Sequence, residues 1–328
     1  MNRNLVERAK APTALNESDL MIRPKQIAHA AALNSALQKY SAQIFPLPGV
    51  DDPVRRNVLV AQILESIRRI EYVKAIASRP IDPDRADPKS DLFDPLKAAL
   101  LCMRAGDRDE AFWLIFLATH FSKHAVDGWG LMRAVYGRLG TNPYWSWAEI
   151  CSDLSGFRLW LRANQTGLSH LRFGNHRKYE SKRENSPKGL AAVVESYVAW
   201  VGPPGTHDQR FTGIIGHTND PTVAFEQLYQ SVSSITRWGR LGAFDHLTMI
   251  GKLGLLHIEP GRTFLKGATG PRAGTALLLN GDAAAKLDVK HAEAELIKLG
   301  TKLSVGQQVL EDSLCNWQKS PSVFVAFR

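Results

Sequence analysis

The sequence predicts a mostly α protein, a multi-helix globular fold, and three observations carry that prediction. A side-chain oxygen directly before a proline recurs at Asp52-Pro53, Asp94-Pro95, Ser186-Pro187 and Asp220-Pro221. Such an oxygen accepts a bond from an orphan N–H of the first turn, and proline at the first helical position has no N–H to lose. Apolar residues behind these marks recur at helical spacing. Alternation of period two is confined to a short strand candidate at 323–327.

Helices are expected in order at 25–43, 53–78, 95–105, 108–123, 129–138, 144–153 and 156–165, then at 187–200, 221–238, 241–252, 271–279, 288–299 and 305–318. In 53–78, Val54, Val58, Ile63, Ile67, Ile70 and Val73 fall near one face. Gly106 and Gly239 read as C-terminal stops. Ala111–Phe121 (AFWLIFLATHF) is apolar nearly all round, the mark of a central buried helix. Three irregular segments, 168–186, 202–219 and 254–275, interrupt the helices, and function tends to sit on such loops. The domain reading is a helical extension over 1–50 ahead of a helical domain over 51–328, with a sub-boundary near 202–219.

The chain has 328 residues, of which 44% are hydrophobic and 22% charged, enough for one or two cores and too apolar for a disordered chain. With 25 Gly and 17 Pro it is not collagen-like. No apolar run approaches the roughly 18 residues of a membrane span. The start, residues 1–19, carries no apolar core of a secretory signal. Cys102, Cys151 and Cys315 are odd in number and far apart, which argues against a disulfide framework and a zinc ribbon. The expected location is cytoplasmic. Lysine and arginine number 41 against 32 acidic residues, a net charge of +9. That sign favours a polyanion such as nucleic acid, with an ordinary basic enzyme as the alternative.

Four segments can carry chemistry. In His170–Arg183 (HLRFGNHRKYESKR), Arg172, Arg177, Lys178, Lys182 and Arg183 are interleaved with His176, Phe173 and Tyr179. Cations neutralise phosphates and rings stack on unpaired bases; the plainer reading is a solvated basic loop. Val126–Ala134 (VDGWGLMRA) fits the hairpin of a helix-hairpin-helix element, in which Gly128 and Gly130 let backbone approach a phosphate; a plain turn fits equally. Gly267–Leu279 (GATGPRAGTALLL) feeds a glycine-rich turn into a helix with Arg272 in its first turn, an anion cradle or simply a well-capped turn. It is not a P-loop, because no Lys precedes Thr275. Arg237–His246 (RWGRLGAFDH) gathers two arginines, Trp238 and an Asp–His pair, where Asp245 is either a base or half of a structural pair. His120 and His124 lie one turn apart, but no third metal ligand is evident and no metal site is expected.

FGNHRKYES (173–181), RWGRLGAFDHLTMIGKLGL (237–255), GATGPRAGTALLL (267–279) and EDSLCNWQK (311–319), in that order, resemble the α-glutamyl/putrescinyl thymine pyrophosphorylases, closest to the third clade. The resemblance runs over most of the chain from about residue 60. It implies a helical fold related to the helix-hairpin-helix DNA glycosylases and an amino acid:DNA transferase of bacteriophage thymine hypermodification. The implied substrate is DNA in which 5-hydroxymethyluracil has been pyrophosphorylated. Pyrophosphate is expelled and the methylene joined to the amine of an amino acid or polyamine.

The residues suit that chemistry. Arg172, Arg177, Lys178 and Arg272, with Gly267, Thr269 and Gly270, would clamp the leaving pyrophosphate. His176, Asp245 or Glu180 would take the amine proton. Tyr179, Trp238 or Phe244 would stack on a flipped base. Gly128, Gly130, Lys182, Arg183, Arg237 and Arg240 would hold DNA. A divalent metal beside pyrophosphate is the one cofactor this chemistry leaves room for. Two other readings stand: a glycosylase-like hydrolase in which Asp245 stabilises a sugar cation, and a non-catalytic DNA-binding module.

Overall fold

The computed structural model describes residues 22–202 and 205–326. The start of the chain read for a signal, much of the 1–50 extension, and the end of the 323–327 strand candidate lie outside them. The chain divides into two compact units, residues 69–268 forming one and the segments on either side of it together forming the other. The divisions fall at 68 and 268, and the 205–219 segment lies inside the second unit.

The first unit holds α1 (Ile27–Gln43), the start of α2 (Pro53–Ala77), α13 (Gly270–Asn280), α14 (Val289–Leu303) and α15 (Gln307–Trp317). Here α13 lies on α15 and on the 48–50 turn, and α1 on α14. The buried Tyr40 hydroxyl donates to Glu295 Oε2 at 3.2 Å. Residues 323–326 form no strand; Gln62 Nε2 donates to the Val325 carbonyl at 3.0 Å instead.

The second unit carries α3 (Pro95–Ala105), α4 (Arg108–Phe121), α5 (Gly130–Tyr136), α6 (Trp147–Ser152), α7 (Leu154–Ala163) and α8 (Gln165–Leu168). It continues with α9 (Leu190–Val201), α10 (His207–Ile215), α11 (Pro221–Val232) and α12 (Arg240–Lys252). The expected central helix is α4: its residues 111–118, 120 and 121 are buried, and α3, α5, α6, α10 and α12 pack around it. Asp52, Asp94 and Asp220 cap their helices as expected, and Gly106 ends α3 in the left-handed region at φ 84°.

Three expectations need correcting. Ser186-Pro187 does not start α9; Gly189 N–H closes a turn on the Ser186 carbonyl at 3.0 Å, and the helix begins at Leu190. The 202–219 segment contains α10, opened by a capping box in which Thr206 and Gln209 bond reciprocally. The helix predicted over 221–238 stops at Val232, where the Ser233 and Ser234 hydroxyls donate back to the carbonyls of Gln230 and Ser231. Gly239 therefore precedes α12 rather than ending α11. Residues 233–239 are left as a non-helical connector.

Candidate active site

The connector 233–239, the start of α12 and the loop after α8 bound one cleft of the second unit, about 630 Å3 in volume. Arg177, Glu180, Lys188, Arg237, Trp238, Arg240 and Gly267 line it. The loop is drawn onto the end of α4 at Gly174, whose N–H donates to the Phe121 carbonyl at 2.8 Å. A Cβ on Gly174 would stand 2.6 Å from Ser122 Oγ, so only glycine permits this approach. The following 3-10 turn, Asn175–Arg177, turns Arg177 inward.

Arg177 is the unusual group. Its side chain is 5% exposed, its Nε donates to the Thr119 carbonyl at 3.3 Å, and its guanidinium lies 5.6 Å over the Trp238 ring. Nη2 is buried without a hydrogen-bond partner, and among the described residues no carboxylate pairs with it within 4.0 Å. Burial pulls its pKa below the usual guanidinium value, while the more distant charges of Asp245 and Glu180 oppose that pull. Helix α12 makes room for it at Gly242, where any Cβ would overlap Nη2.

Four other cations are committed. Arg237 Nε donates to Glu180 Oε2 at 3.0 Å and its Nη2 to the Tyr179 carbonyl at 3.3 Å. Arg237 does so from the left-handed region, at φ 66°. Arg240 donates to the carbonyls of Phe264 and Thr263, both at 2.9 Å. Arg172 grips Asp127 through two bonds of 2.9 and 2.7 Å, tying the basic loop to the 124–128 turn. Lys182 Nζ donates to the carbonyls of Leu168, Ser169 and Leu171, and burial lowers its pKa. Lys182 and Arg172 thus anchor the loop. Lys178 and Arg183 are exposed, and Lys178 Nζ lies 5.0 Å from the centre of the Tyr179 ring, itself 82% exposed.

Of the expected bases, His176 Nδ1 and Asp245 Oδ2 stand 3.5 Å apart, both part-exposed. The Glu180 carboxylate is nearly buried against Arg237. Phe244 is buried among Phe225 and Phe264, so it offers no face to a base. Trp238, 1% exposed, stacks on Phe116 at 4.9 Å; it lines the cleft but holds no open face. Gly128 sits at φ 57° in the turn closed by the bridge between His124 and Gly128, and Gly130 opens α5.

Thr269, Gly270 and Arg272 belong to the first unit, whereas Gly267 and every other residue lining the cleft belong to the second. Thr269 caps α13 with no side-chain bond, and Arg272 is exposed. The smallness of Gly270 serves packing: a Cβ there would stand 2.6 Å from Cys315 Sγ.

Lys188 and Gly242 escaped sequence reasoning, and His246 entered it only as half of an Asp–His pair. His246 follows Asp245 in a segment already singled out, but only the structure shows it fully buried, edge-on to Trp238 at 4.7 Å, with neither ring nitrogen partnered among the described residues. Burial, with His207 and Arg177 nearby, pulls its pKa down to about 3. His120 is likewise buried and unpartnered; His124 accepts bonds from the Val126 and Asp127 N–H groups.

In comparison with known proteins, residues 54–328 match the family described as alpha-glutamyl/putrescinyl thymine pyrophosphorylase clade 3. No curated protein and no solved structure matches.

Proposed function

Because the chain belongs to the alpha-glutamyl/putrescinyl thymine pyrophosphorylases of clade 3, we propose that it displaces pyrophosphate from 5-pyrophosphoryloxymethyl-uracil in DNA and joins the methylene to an amine. The observation that supports this most is Arg177, a buried cation without a carboxylate partner in a cleft rimmed by Lys188, Arg237 and Arg240. A buried charge lacking its counterion is costly, so the site is built to receive an anion.

In the reaction, the bond between the 5-methylene carbon and the bridging oxygen breaks, and its electron pair departs on pyrophosphate. Cations held in place before that charge develops lower the barrier. The amine nitrogen forms the new bond to carbon and sheds a proton. The His176–Asp245 pair suits that proton better than Glu180, whose carboxylate is held by Arg237. The helical frame is read as related to the helix-hairpin-helix DNA glycosylases, with Gly128 and Gly130 gripping backbone phosphate from the 124–130 turn. DNA carrying the activated nucleotide and an amino acid or polyamine are the two substrates.

The test is nucleoside mass analysis. Duplex DNA bearing 5-pyrophosphoryloxymethyl-deoxyuridine is incubated with the protein and a pool of amino acids and polyamines, then digested. An amine adduct with released pyrophosphate is expected. Free base with abasic sites would replace the transferase with a hydrolase, and binding without any change in the nucleoside would leave a DNA-binding module.

A further inference from the structure

A group that attacks a base inside duplex DNA needs that base turned out of the stack and held by its edges. No open face in the cleft can do this, because Trp238 fills the space beside Arg177. Around Trp238, however, unpartnered polar atoms collect: its own Nε1, Nη2 of Arg177, and both ring nitrogens of His246. Leaving one such atom buried and unpaired costs roughly 1–3 kcal/mol, and native proteins keep few of them without a reason.

We propose that Trp238 is a plug in a slot bounded by Phe116, Arg177 and His246, and that the slot receives the flipped 5-substituted pyrimidine when Trp238 moves out. This rests on the transferase reading. The slot has the shape of a flat ring, since Phe116 lies nearly parallel to the indole at 15°. A pyrimidine is smaller than an indole, which leaves room for its exocyclic groups. The polar atoms suit a uracil: the Arg177 guanidinium would keep over the base the place it holds over the indole, and a neutral imidazole offers a donor or an acceptor to a carbonyl oxygen or the N3–H of the base.

The connector also suits a moving plug. Trp238 lies outside any helix and lines the cleft, so its exit breaks no helical turn. Arg237 beside it is held in the left-handed region, where a side chain is strained, by its bonds to Glu180 and the Tyr179 carbonyl. A DNA phosphate competing for that guanidinium would release the connector.

The test uses full-length protein labelled with 5-fluorotryptophan, the Trp238 resonance being assigned with Trp238→Phe. Duplex containing 5-hydroxymethyluracil, which lacks the pyrophosphate leaving group, is expected to shift the Trp238 resonance, and a thymine duplex to shift it less. In a second measurement, Trp238→Ala is expected to bind free 5-hydroxymethyluracil at least about tenfold more tightly than the wild type, and Trp238→Ala with His246→Phe to lose about tenfold of that. An unmoved Trp238 resonance, with duplex bound and amine adducts forming from activated DNA, would overturn the plug and leave the transferase intact. Absence of adducts would overturn the transferase instead, while a shifted resonance and base binding by Trp238→Ala would still support the slot.

Discussion

Two histidines of the second unit, His207 at the start of α10 and His246 in the middle of α12, are both buried, yet one is saturated with partners and the other has none among the described residues. His207 Nδ1 meets Asp109 Oδ1 at 2.6 Å, its Nε2 meets the Tyr197 hydroxyl at 2.8 Å, and its backbone N–H donates to the same Asp109 oxygen at 2.7 Å. Beside it Arg108 pairs with Asp208, so two adjacent links fasten α4 to α10. His246 packs in the same aromatic cluster, near Tyr197 and Phe116, with both nitrogens bare among the described residues. A polar group buried and satisfied holds the fold; one buried and unsatisfied marks a place where the fold waits for something else.

This contrast can be broken or sharpened by mutation. The largest effect is expected of Arg177→Lys, which keeps the charge but loses the planar donor set: the rate of adduct formation should fall about a hundredfold or more, with thermal stability nearly unchanged. A large loss of melting temperature with the rate intact would place Arg177 with His207 among structural groups. Asp109→Ala should do the reverse, costing about 2 kcal/mol in denaturant unfolding while the rate of the folded protein stays within a few fold.

A smaller effect concerns pH. His246 holds a folded pKa of about 3 because of burial, against an unfolded value of about 6.5. Between these values the unfolded chain binds the proton and the folded chain refuses it, so stability falls as the pH drops from about 6.5 toward about 3. Glu110, raised to about 7 by burial, works in the opposite sense, binding its proton more readily when folded. The informative quantity is therefore a difference: His246→Phe should flatten the acid-side loss of stability relative to the wild type. Equal slopes in pH-dependent denaturation would show that His246 is not held neutral. The smallest change is expected of Lys178→Ala, a drop in rate of less than about threefold that shrinks further as salt rises, because exposed charges are screened. A large, salt-independent drop would bring Lys178 into the site.

Much of the frame was legible because helix signals are local. Asp94 before Pro95, or the apolar run of α4, carries its meaning within a few residues. The T-x-x-Q of Thr206 and Gln209, which opens α10, is an equally local signal. The fate of the cations was not local. Arg172, Arg177 and Lys182 share one loop and one chemistry, but a distant Asp127 claims the first, three carbonyls of the 168–171 turn claim the third, and the second is walled in beside α12. Pairing between segments far apart in sequence decides which arginine is free, and spacing along the chain does not reveal it. The glycines posed the same difficulty: Gly270 looks like part of a phosphate cradle and serves as a small residue against Cys315, while Gly242, which gives Arg177 its place, lies unmarked inside a helix.

The first unit is assembled from both flanks of the second. During synthesis, Leu33, Leu37 and Tyr40 of α1 therefore emerge long before α14, the helix on which α1 packs. The cleft-bearing unit has all of its residues once the chain has grown past Ala268, whereas the earlier-made segment must stay soluble without α14 until the last helices leave the ribosome. A chain that terminates prematurely within that final stretch would carry the whole cleft together with an orphaned, sticky N-terminal helix.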